Sequence, residues 1–71
     1  MKKLTTIDII NHMKNGATLR KVYCVYSYWE LILNDGTRIW NLREGSAQSA
    51  KSKIKYELIS NDKSGFVIKM K

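Results

Sequence analysis

An Asp35-Gly36 pair stands between two apolar-rich runs, Trp29-Glu30-Leu31-Ile32-Leu33 and Arg38-Ile39-Trp40-Asn41-Leu42. That arrangement predicts a β-hairpin, because the favoured two-residue turn needs φ > 0 at its centre and Asp-Gly accepts it. A two-residue loop sets Leu33 opposite Arg38, Leu31 opposite Trp40 and Trp29 opposite Leu42. One face of the ribbon then gathers Trp29, Leu31, Leu33, Trp40 and Leu42, and the other Glu30, Ile32, Ile39 and Asn41. A chain of 71 residues is near the lower size limit for a single hydrophobic core without staples. Trp29, Trp40 and Phe66 are therefore expected inside, with Tyr28 more exposed than either tryptophan.

Glycines at 16, 36, 45 and 65 punctuate the chain, and it has no proline. Before Gly16, the residues Ile9, Ile10 and Met13 share one helical face, with Ile7 at its edge, while Asp8, Asn11, His12 and Asn15 take the other. Thr5 suits the N-cap with Asp8 three residues on, Leu4 can pack on Ile9, and Asn15-Gly16 is a stop signal. Leu19 to Val25 is rich in β-branched and aromatic residues and reads as a further strand, in which Cys24 packs as a small hydrophobe. After Gly45, Ser46 can cap a short helix that sets Ala47, Ala50 and Ile54 on one side. An extended start near Lys51 competes with that helix, because Lys51, Lys53, Lys55 and Glu57 alternate with Ser52, Ile54, Tyr56 and Leu58.

The tail reads as a second hairpin around residues 61–65. Setting Leu58 opposite Phe66, Tyr56 opposite Ile68 and Ile54 opposite Met70 gives a consistent apolar face. A register one step on mixes the faces. The expected architecture is α+β, a single domain over residues 1–71. Its order is helix, two or three antiparallel strands, short helix and C-terminal β-hairpin.

The formal charge is +7, and the excess lies at the two ends. Residues 1–21 hold five cations and one acid, residues 51–71 six and two, and the middle two and three. A polyanion, most simply nucleic acid, is the leading partner class. In the chosen register Lys55 falls opposite Lys69 and Lys53 opposite Lys71. Like charges so placed weaken a sheet, which favours a phosphate-contacting use of the patch. The same lysines also serve solubility by discouraging edge-to-edge aggregation.

The residues expected to meet nucleic acid are Lys51, Lys53, Lys55, Lys69, Lys71, Arg20 and Lys21, with Lys2 and Lys3 assisting. Gln48 and Ser49, with Ser46 and Ser52, lie on the short helix, where they can donate to phosphate oxygens. Capping and connecting account for them equally well. Tyr26 and Tyr28 are candidates for base stacking. The short helix followed by a basic hairpin resembles the recognition helix and wing of winged-helix proteins. Strands stand here where that family has its helix-turn-helix pair, and no motif residue carries over.

Several classes are excluded. Cys24 is the single cysteine and His12 the single histidine, so no disulfide or Cys/His zinc site can be built from one chain. Asp8 and His12 lie four apart on a helix, yet no nucleophile or oxyanion site accompanies them, so catalysis is not expected. No cofactor is implied. No apolar run nears the ~18 residues of a membrane span, and the start lacks the apolar stretch of a secretion signal, so a cytoplasmic location is expected. The functional expectation is a small non-catalytic nucleic-acid-binding or regulatory protein. The alternative is an interaction module for an acidic partner protein, and a homodimer would bury surface that a thin core leaves exposed. The Ile32/Ile39 pair discriminates them, since an exposed apolar face there suits a protein interface.

Overall fold

The computed structural model describes residues 4–40 and 42–71. Lys2, Lys3 and Asn41 lie outside the described residues. The elements run α1 (Thr6–Lys14), β1 (Thr18–Val22), β2 (Tyr28–Ile32), β3 (Arg38–Ile39), α2 (Glu44–Lys53), β4 (Tyr56–Asp62) and β5 (Gly65–Met70). The expected α+β order is observed.

Helix α1 is bounded by the residues that predicted it. The Asp8 N–H donates to the Thr5 hydroxyl at 3.2 Å and the Asp8 carboxylate accepts from the Thr5 N–H at 3.0 Å, which completes a capping box. At the other end Gly16 has φ +100°, its N–H reaches the Met13 carbonyl, and the Ala17 N–H reaches that of His12. This is a Schellman stop. Ile9 and Met13 are buried and Ile7 is exposed.

All five strands form one antiparallel sheet in the order β3-β2-β1-β5-β4. Helix α2 carries the chain from the β3 edge across to the β4 edge. Both helices share one core with the sheet: Ile9 and Met13 from α1, Ala47 and Ala50 from α2, and Leu19, Trp29, Leu31 and Ile68 from the strands. The helix reading after Gly45 holds and the extended alternative does not, although α2 starts earlier, at Glu44 with Arg43 as N-cap. The opposite face of the sheet carries no helix among the described residues. The radius of gyration, 11.1 Å, is that of a compact chain of this length, about 11 Å.

The first hairpin departs from its expected register. The Leu33 N–H donates to the Thr37 carbonyl at 2.8 Å and the Gly36 N–H to the Leu33 carbonyl at 3.0 Å, while Asp35 Oδ1 accepts from the Thr37 N–H at 2.9 Å. The loop is thus three residues, 34–36, a turn followed by Gly36 at φ +90°. The Asn34 side chain is drawn into it by donating to the Asn15 carbonyl. One extra loop residue turns β3 over: Leu31 faces Ile39 and Ile32 faces Arg38. Ile39 packs against the core, and Trp40, expected inside, is 63% exposed. Trp29 is buried as expected.

The tail hairpin also shifts. Tyr56 faces Met70, Glu57 faces Lys69 and Leu58 faces Ile68, and a bulge at residue 59 then brings Ser60 opposite Val67. The apolar face of Tyr56, Leu58, Phe66, Ile68 and Met70 survives because a slip of two residues keeps parity, while past the bulge Ser60 turns to the other face and Asn61 comes opposite Phe66. The lysine pairing does not survive: Lys69 opposes Glu57, and Lys53 belongs to α2. Nor is the hairpin a projecting wing, since β5 is held between β4 and β1 inside the sheet. Cys24 lies exposed in the β1–β2 connection rather than packed, its Sγ 2.8 Å from the Tyr26 carbonyl.

Candidate functional site

The nine residues expected to meet nucleic acid (Arg20, Lys21, Gln48, Ser49, Lys51, Lys53, Lys55, Lys69 and Lys71) do not form one surface. Arg20 and Lys21 belong to the internal charge pairing of the sheet. Lys21 is 7% exposed, with its amine 3.2 Å from Glu44 and lying over the Trp29 ring at 4.9 Å. Arg20 lies on the opposite, helix-free face, 3.6 Å from Glu30. Lys51 folds over the Tyr56 and Phe66 rings at 5.6 and 5.2 Å, at the mouth of an apolar groove of about 240 Å³ that Leu58, Asn61 and Ile68 also line.

Lys53, Lys55, Lys69 and Lys71 remain exposed. Lys69 meets Glu57 at 3.3 Å with both side chains half-exposed, a geometry worth little and screened by salt. The Lys71 N–H donates to the Lys55 carbonyl at 3.0 Å, so the two lysines adjoin just beyond the paired ends of β4 and β5. Gln48 is exposed and Ser49 half-buried on α2, one or more turns inside the helix rather than at its first residues. The α2 start offers an anion little, since Glu44 occupies its first turn and the Arg43 side chain makes no cap.

Lys14 was not among the expected residues. It ends α1, where a cation is favoured by the helix dipole, and the fold brings it beside the tail. Lys14, Lys69 and Lys71 line one cavity of about 220 Å³, together with Gly16 and Ala17. The pairing of β1 with β5, Thr18 opposite Lys69, creates this juxtaposition. No signal local to either segment contains it.

The helix-free face has its own centre. Strand parity sets Thr18, Arg20 and Val22, Tyr28, Glu30 and Ile32, Arg38, and Val67 and Lys69 on it. Glu30 is 1% exposed there, with Arg20 and Arg38 at 3.6 and 3.8 Å from one carboxylate oxygen and the Trp40 indole N–H donating to the other. Ile32 lies on this face and Ile39 on the helix side, so the discriminating pair is split between the two. Tyr28 is partly exposed, and Tyr26 is well exposed in the β1–β2 connection.

Asp8 is engaged in the capping box. Among the described residues no three His, Cys, Asp or Glu side chains come together as a metal cluster, and no helix is long and apolar enough to cross a membrane. What the arrangement presents at its surface is charge and exposed aromatic rings. The fold and these surfaces define a small α+β protein with a five-stranded antiparallel sheet, helices on one face and a lysine-rich end. No family model, curated protein or solved structure matches the chain.

Proposed function

We propose that this is a non-catalytic nucleic-acid-binding or regulatory protein that grips a phosphate backbone at its lysine-rich end and works in the cytoplasm. Lys14, Lys55, Lys69 and Lys71 supply the contacts, and Lys53, the last residue of α2, precedes Lys55 by two positions. The observation that carries the reading is the convergence of Lys14 with Lys69 and Lys71 around one cavity, because like charges gathered from distant segments repel in the absence of an anion. Most of the affinity is electrostatic and tolerant of sequence.

The test is a salt series of binding to duplex DNA and to single-stranded DNA, absence of binding meaning absence with both. Replacing Lys14, Lys55 and Lys71 together by Gln should make the slope of log K against log salt shallower by about three units. Lys63→Gln, at the far turn of the tail hairpin, should change it much less. Absence of binding at low salt, or an unchanged slope in the triple variant, would overturn the reading.

A second reading, an interaction module for an acidic partner protein or a second copy of the chain, is favoured by a different observation. Leu58 and Ile59 are 53% and 51% exposed on β4, an edge strand. Such an edge can accept an added strand. The bulge at residue 59 and the adjacent lysines oppose that use.

A further inference from the structure

Trp40 is exposed and nevertheless held in place. Its indole N–H is bound by Glu30, a carboxylate almost wholly buried on the sheet face that carries no helix. Burying a carboxylate is costly unless it is paired. Here Arg20 and Arg38 flank one oxygen at 3.6 and 3.8 Å, and the indole takes the other. The effect of this arrangement is to orient an aromatic ring at the surface.

What the anchored ring still offers narrows its partner. A tryptophan that anchors a protein interface uses its N–H as well as its body. This N–H is already satisfied within the chain, so the ring presents π surface and little else. Both arginines lie beyond hydrogen-bond length from Glu30, and two cations against one carboxylate leave this part of the face with surplus positive charge. Tyr28, two residues before Glu30 on the same side of β2, adds a second ring about 7 Å along the strand. The neighbouring row runs Arg38, Ile32, Thr18, Lys69 across four strands. It links this face to the lysine-rich end over about 14 Å.

We infer that the helix-free sheet face is a stacking site for unpaired bases, with Trp40 as the principal platform, Tyr28 as the second and Arg38 as the adjoining cation. The preferred ligand is therefore single-stranded nucleic acid rather than closed duplex, whose bases are already stacked. This rests on the proposed phosphate-binding function and names the form of nucleic acid it takes.

The experiment measures binding of a short oligo(dT) and of duplex DNA at several salt concentrations, for the parent, Trp40→Ala and Trp40→Phe. Trp40→Ala should weaken oligo(dT) binding by about 5- to 100-fold, the loss of one stacked base, with its salt slope unchanged and duplex binding unaffected. Trp40→Phe keeps a ring and should recover much of that loss, which guards against an effect of altered folding. If the parent binds both ligands and neither variant changes oligo(dT) affinity, the stacking inference is overturned while the phosphate reading stands; the exposed ring is then better assigned to a protein partner. If the parent binds no nucleic acid even at low salt, both readings are overturned together.

Discussion

Gly65 and Gly36 both have positive φ, +141° and +90°, but they meet different surroundings. A Cβ on Gly65 would stand 1.8 Å from the Lys21 carbonyl oxygen, whereas nothing lies within 4 Å of one on Gly36. Gly65→Ala must therefore push β5 from β1 in the middle of the sheet and should cost about 3 kcal/mol or more. Gly36→Ala meets only the left-handed backbone penalty, about 1–2 kcal/mol. Urea denaturation of the two variants would compare them, and equal losses would mean that the close β1–β5 approach is absent in solution. The Asp35-Gly36 turn was readable from residue types alone. That Asp35 would accept the Thr37 amide, and that Asn34 would join the loop by bonding to Asn15, were not, since the second contact spans two distant segments. That one added residue carried Trp40 from the expected core to the surface.

Among the elements, α1 was the most readable, because both of its caps are local and its apolar face repeats at helical spacing. The tail hairpin was readable in its faces and not in its register. A period-two pattern is unchanged by a slip of two residues, and the bulge at residue 59 has no signature in the residue types. The consequence is a reversal of sign. With Lys69 opposite Lys55, replacing Lys69 by Gln would relieve repulsion and stabilise the sheet. With Lys69 opposite Glu57 at 3.3 Å, both half-exposed, Lys69→Gln should instead cost a few tenths of a kcal/mol. Thermal melts at low and high salt would check this, with the loss shrinking as salt screens the pair.

At the scale of the whole molecule, two exposed aspartates couple the hairpin loops to pH. Thr37 donates to Asp35 and Ser64 to Asp62, through side chain and backbone, and these bonds hold both carboxyl groups below the ordinary value of 3.8. Groups depressed in the folded state stabilise it above the unfolded value, and that contribution is lost as pH falls through the folded value. It should be level from neutral pH down to about 5 and decline below about 4. Melting temperatures against pH would test this, and replacing Asp35 and Asp62 by Asn should flatten that part of the acid limb. A decline confined to the neutral range would contradict it.

While it left residues 46–53 open between a helix and an extended start, this chain declared from its residues alone its class, its element order, the caps of α1 and the apolar sides of the tail strands. Each of these rests on contacts within a few residues or on a repeating period. Only the tertiary structure decided which charges are spent internally, as Lys21 and Arg20 are on Glu44 and Glu30. It also decided that Lys14 joins Lys69 and Lys71, and that Trp40 faces outward beside a buried carboxylate. Those outcomes depend on strand registers and on β5 inserting next to β1, and such pairings are selected by the free energy of the whole packed sheet rather than by any one segment.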